Sequence, residues 1–196
     1  MDLLKHIRLL AQYNEWMNSK LYDAAAQLPP DQLALDRGAF FGSVLGTLNH
    51  ILVGDIIWLK RLGTHPAAHR SLEPVRQRER PNALDQILHR DLGALREERR
   101  KVDAIIAAWA AELSIADLDH VLEYRNMKGE PMRKLFGSLA LNLFNHQTHH
   151  RGQATTLLSQ AGIDVGVTDL LALIPQEPAA AGERRDFEPH RGQEQR

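Results

Sequence analysis

Leu135-Phe136-Gly137-Ser138-Leu139-Ala140-Leu141-Asn142-Leu143-Phe144-Asn145-His146-Gln147-Thr148-His149-His150-Arg151-Gly152-Gln153-Ala154-Thr155-Thr156-Leu157 repeats its apolar residues at helical intervals. At about 100° per residue, Leu135, Leu139, Leu143, Ala154 and Leu157 share one face, which predicts a long amphipathic helix over Arg133–Gln160, ended by Gly162. His146 and His150 fall inside that apolar stripe. They stand at i and i+4, one turn apart, the spacing at which two imidazoles on a helix can grip one cation. His149 lies about 100° around from His150, toward the polar edge. Imidazoles on a core-facing stripe need a hydrogen-bond partner or a metal. The pair alone fits two hydrogen-bonded core histidines as well as it fits half of a metal site.

Working outward, residues 2–28 place Leu3, Ile7, Leu10, Met17, Leu21 and Leu28 at helical spacings, between Asp2 as a candidate cap and Pro29-Pro30 as a stop. Residues 31–42 are punctuated by Pro, Asp and Gly. Ser43 then opens a second long apolar pattern that reaches Leu62, where Gly63 is a stop signal. After a polar, basic loop over 64–81, Asn82 with Asp85 resembles a capping pair, predicting a third helix to about Glu112. Its charged face, Arg96 to Lys101, reads as solvated surface. The run from His120 to Met132, with β-branched and aromatic residues before a Gly-containing turn, predicts a small hairpin. A short helix near Leu170 to Ile174 caps the predicted bundle. Residues 176–196 are dominated by Glu, Arg, Gln, Pro, Gly and Ala and read as a disordered C-terminal tail. The reading is therefore all-α, a four-helix bundle over residues 1–175 with a hairpin before the last long helix.

Composition narrows the function. With 24 Lys plus Arg against 25 Asp plus Glu, the formal charge of −1 offers no general attraction to nucleic acid or anionic lipid. No run approaches the roughly 18 apolar residues of a membrane span, so a soluble cytoplasmic protein acting on a small-molecule substrate is expected. The chain has no cysteine, which removes thiolate nucleophiles and zinc–thiolate knots and leaves His, Asp and Glu to hold any transition metal.

A third ligand candidate comes from the second helix, where His50 has Gly46, Thr47 and Gly54 within one turn on its side, small neighbours that leave space around the ring. A facing bundle helix could bring His50 to the pair. His6, His65, His69, His89, His120 and His190 lie near the start, in polar segments or in the tail, and are read as surface residues. Three neutral imidazoles on a divalent ion leave at least one coordination position open, the pattern of a catalytic site. The chemistry would be Lewis-acid chemistry, ionising a water or a thiol. Asn142 and Gln153 lie near the angular position of His146, where ordinary helix-edge polarity is the favoured reading and orientation of a ligand the other.

Asn145-His146-Gln-Thr-His149-His150-Arg151-Gly152-Gln153 resembles the NHxxxHRGQ signature of the DinB/YfiT-like superfamily. Tyr13-Asn14-Glu15-Trp16-Met17-Asn18 is similar to the family's YNxWxN motif, and Leu48-Asn49-His50-Ile51 and Tyr124-Arg125-Asn126-Met127-Lys128-Gly129-Glu130-Pro131 follow in the family's order. The resemblance implies a four-helix bundle, often a homodimer, with a Zn, Ni or Fe ion held by His50, His146 and His150, and His149 outside the ligand set. It also implies metal-dependent chemistry, transferase-like or hydrolase-like, in some relatives with a low-molecular-weight thiol such as bacillithiol or mycothiol. A non-catalytic metal-binding stress-response protein is the competing expectation, and no catalytic residue is assigned. The family's naming for induction by DNA damage is not a sign of DNA repair. Arg151, about 100° around from His150, is open to a helix-surface salt bridge or a substrate contact.

Overall fold

The computed structural model describes residues 2–176. The expected disordered tail, Gln176 apart, lies outside them. Four long helices carry the core: α1 (Leu3–Ala25), α3 (Val44–Leu62), α5 (Leu92–Glu112) and α7 (Phe136–Gln160). Short helices α2 (Pro30–Ala34), α4 (Glu73–Arg76) and α6 (Ile115–Leu118) lie in the connections, with 3-10 turns at Arg70–Leu72 and Leu170–Leu173. α1 packs on α5 and α7, while α3 packs on α7 and α5, so the helices run around the bundle as α1, α5, α3, α7. Buried Ile7, Leu21, Leu48, Leu52, Leu59, Val102, Ile106, Trp109, Leu143 and Leu158 fill the interior, each apolar side chain contributing about 1.5–3 kcal/mol. No helix among the described residues is long and apolar enough to cross a membrane.

Local chemistry sets most helix starts. The side chain of Asp2 accepts the Leu4 N–H at 3.0 Å, and Ser43 Oγ accepts the Gly46 N–H at 3.0 Å. The third long helix corrects the sequence reading, because it opens at Leu92 and not at Asn82. Residues 82–90 cannot wind into it because Asn49 of α3 holds their backbone: its Oδ1 accepts the N–H groups of Leu88 (2.8 Å) and His89 (3.0 Å), and its Nδ2 donates to the His89 carbonyl (3.0 Å). The true cap is Asp91, which accepts from Ala94 N at 2.8 Å.

The hairpin runs three residues past its expected end. β1 (Val121–Arg125) pairs antiparallel with β2 (Pro131–Leu135), and Arg133 pairs with Glu123 across it at 2.9 Å. Leu135 is therefore a strand residue, 51% exposed, and does not belong to the apolar stripe of α7, which starts at Phe136. Leu139, Leu143, Ala154 and Leu157 are buried as expected.

The centre of the bundle is ionic. Arg99, expected on a solvated face, is 2% exposed and bonds Asp55 of α3 and Asp103 (2.9 Å) of its own helix. Asn14 and Asn18 of α1 each donate to Asp103 at 2.9 Å, and Gln147 of α7 donates to Asp55. Arg151 is also 2% exposed and bonds Asn14 and Gln147, which overturns the surface salt-bridge reading. Burial pushes the Asp55 carboxyl up to about 6 against the pull of Arg99, and lowers Arg151 to about 10 against the pull of Tyr13 and Asp55.

Candidate metal centre

Beside this network, on the α3–α7 seam, His50, His146 and His150 converge. One ring nitrogen from each lies within 4.8 Å of the others, and the group could hold a metal ion. His50 is buried; His146 and His150 are half-buried at the edge of the α7 stripe, whose deepest line passes through Gln147 and Arg151. His149 is exposed, as its angle predicts.

Each ring is held from outside. His50 Nδ1 lies 2.7 Å from the Leu84 carbonyl, which can only accept, so Nδ1 carries the proton and Nε2 keeps its lone pair. His150 Nδ1 lies 2.8 Å from Gln153 Oε1, and donation there leaves its Nε2 unprotonated as well. Those two Nε2 atoms face one another at 3.1 Å. Two lone pairs at that distance repel, whereas two nitrogens at tetrahedral angles on one ion, each about 2.0–2.1 Å away, stand about 3.4 Å apart. The donor set thus fits a divalent ion. His146 Nδ1 is buried with no hydrogen-bond partner among the described residues, a further polar atom to be satisfied.

Burial, helped by the neighbouring imidazoles, lowers His146 to about 3. Burial also lowers His50 to about 4 despite the Leu84 carbonyl, and lowers His150 despite Gln153. All three rings are therefore neutral near pH 7, the form that ligates.

Close backbone approach shapes the site. A Cβ on Gly54 would stand 2.5 Å from His146 Cε1, so glycine here makes room for the His146 ring and not for His50. A Cβ on Gly46 would collide with the Phe41 carbonyl, and that approach sets the Phe41 ring on His50 at 3.7 Å between centroids, 16° from parallel. The Asn49 strap carries Leu84 over His50. Gln153, expected as ordinary helix-edge polarity, bonds both His150 and His149, the latter at 3.3 Å. Asn142 is exposed.

The family model for the DinB family matches residues 3–185. The chain belongs to the DinB family. Protein DinB of Bacillus subtilis (strain 168) is 25% identical over 162 residues, spanning 82% of this chain and 88% of that one. The uncharacterised Bacillus subtilis protein YrdA is 50% identical over 48 residues, 24% of this chain and 28% of its own. A crystal structure of a DinB-like protein from Bacillus cereus superposes with a TM-score of 0.56 at 22% identity, covering 81% of this chain and 94% of that one. At that identity it supports the DinB fold alone.

Phe41, Leu84 and the Asn49 strap were not legible as parts of the site, since each acts by its position in the fold; Gly54 was legible as a space-giving residue, though for the wrong ring. Two other histidines correct the surface reading: His65 and His69 are buried and stand with Asp117. His6, His89 and His120 are half-buried, and His190 lies outside the described residues.

Proposed function

We propose that this DinB-family chain binds one divalent transition-metal ion through His50, His146 and His150 and is a metal-dependent enzyme of transferase or hydrolase type acting on a small molecule. The observation that carries the reading is the opposition of the His50 and His150 Nε2 lone pairs at 3.1 Å, each ring fixed by an acceptor behind it. With the metal bound, Lewis acidity lowers the pKa of a thiol or a water at the open coordination position, as three-histidine sites do. The chain's own residues orient and shield. Leu84 and Gln153 fix two rings, Phe41 keeps solvent from one face of His50, and Gly54 leaves room for His146.

Elemental analysis of untagged protein, reconstituted with zinc, nickel or iron(II), is expected to show that each of His50→Ala, His146→Ala and His150→Ala holds about one equivalent fewer than wild type. Folded wild type that takes up no metal refutes the reading. A cobalt-loaded protein whose spectrum changes on addition of a low-molecular-weight thiol supports the thiol-dependent branch. If thiol leaves the spectrum unmoved and no hydrolase activity is found, the metal-binding stress protein without turnover is the better description.

A further inference from the structure

A second cluster lies outside the three-histidine site. The turn after α3, His65-Pro66-Ala67-Ala68-His69, brings two histidines together against α6 and the start of α7. Ala68 makes the turn possible with φ of 48°, the one non-glycine residue in the left-handed region among the described residues. The His65 ring is 6% and the His69 ring 3% exposed, and their centroids are 5.1 Å apart. His69 Nε2 stands 3.3 Å from Asp117 Oδ2. Asp117 is itself oriented by Ser114, whose N–H (2.7 Å) and hydroxyl (2.8 Å) both donate to Oδ2.

Two features point to a ligand. His65 Nε2 and both ring nitrogens of His69 have no well-formed hydrogen bond among the described residues, although both residues are more than nine-tenths buried. In addition, one donor atom from each of His65, His69 and Asp117 lies within 4.8 Å of the others. Two imidazoles and a carboxylate make a donor set suited to a divalent ion of the zinc class. Burial, with His120 and His69 close by, holds His65 below the usual imidazole range. Burial works against the Asp117 charge, but the Ser114 hydrogen bonds, with the His69 ring close by, outweigh it and hold the carboxyl low. The neutral ring and the carboxylate are the ligating forms.

We propose that His65, His69 and Asp117 form a second divalent-metal site, structural in character, that ties the turn after α3 to α6. Its cost is visible: His65 Nδ1 accepts the Ala67 N–H at 3.1 Å, so ligation through Nε2 moves the ring proton to Nδ1 and gives up that bond. Ala67 is exposed, and water can take over its N–H.

The test is zinc stoichiometry by equilibrium dialysis and elemental analysis, using zinc(II) alone on the full untagged chain. Wild type should hold two equivalents. His69→Gln and Asp117→Asn should each hold one, and so should the combined His50→Ala/His146→Ala/His150→Ala variant. The conservative Asp117→Asn keeps the shape of the capping side chain, and circular dichroism checks folding of every variant. Cobalt(II) absorption reads the two sites separately, since the remaining band in His69→Gln should be the one missing from the three-histidine variant. If wild type holds one equivalent that survives His69→Gln but not the three-histidine variant, the second site is overturned while the first stands. If one equivalent is lost in His69→Gln yet kept in the three-histidine variant, the second site stands and the first is overturned. Binding of less than half an equivalent by the folded three-histidine variant at zinc tenfold above the protein also overturns the proposal.

Discussion

Neighbouring residues on α3 and α7 belong to two different buried polar clusters. Gly54, His146 and His150 serve the three-histidine site, while Asp55, Gln147 and Arg151, the next residues along, serve the ionic centre. A rotation of about 100° separates each member from its neighbour. The ionic centre balances its own charge, since Asp55 and Asp103 face Arg99 and Arg151 and are cross-linked by amides from α1 and α7. The histidine cluster is neutral, lies at the edge and opposes two lone pairs. One cluster thus ties the helices together through charge, and the other gathers three donor nitrogens that could hold a cation.

Removing a charge from the centre should have the largest effect. Arg99→Met leaves Asp55 and Asp103 buried without their shared cation, and is expected to lower stability by about 3–5 kcal/mol in urea unfolding. Molecules that remain folded should still bind metal with the same stoichiometry. A loss below about 1 kcal/mol would mean that the network is not what keeps α3, α5 and α7 together.

The next test perturbs the contact between α3 and the histidine site. A methyl on Gly54 would meet His146 Cε1 at 2.5 Å, so Gly54→Ala must displace that ring. Metal affinity should fall by about 10–100-fold, the range typical of a disturbed ligand environment. Helix propensity acts in the opposite direction, favouring alanine over glycine by roughly 1 kcal/mol in a helix interior. The expected signature is therefore weaker metal binding with apo stability nearly unchanged. Calorimetric titration and thermal melts of the stripped protein measure the two parts, and equal losses in both would show that the two clusters are not separable.

The same contrast explains what could be read in advance. Long helices and the His146/His150 pair were legible because 3.6-residue periodicity is local, and each apolar position reports its own burial. Arg99 and Arg151 were misread because their burial depends on partners from other helices, Asp55 of α3 and Asn14 of α1, whereas amphipathic patterning assigns an arginine to solvent. The start at Asn82 failed for a similar reason: past the plausible capping pair, the amides of Leu88 and His89 are taken by Asn49, about forty residues earlier in the chain. His65 and His69 sit in a polar, proline-containing turn that carries no periodic signal, so their burial against Phe136 shows only in three dimensions.

The smallest effect is expected at His149, and it gives the sharpest check of the helix face. Its ring lies 4.7 Å from that of His150, closer in sequence to the site than either His50 or His146 is to its partners, yet it is exposed. Its polar tie is the 3.3 Å contact with Gln153 Nε2, and Gln153 keeps its 2.8 Å bond to His150 when that contact is lost. His149→Ala should therefore leave apo stability within about 0.5 kcal/mol of wild type, as for an exposed residue with no buried partner. Ligand binding to the native state adds RT ln(1 + [L]/Kd), about 2.7 kcal/mol at a hundredfold excess over Kd, so this variant should retain the metal-induced rise in Tm. Measured in a His69→Gln background, which removes the second proposed site, His50→Ala, His146→Ala and His150→Ala should lose that rise. A His149 variant that loses it while His150→Ala keeps it would place the ligands one residue around the helix, and the division between the two clusters would have to be redrawn.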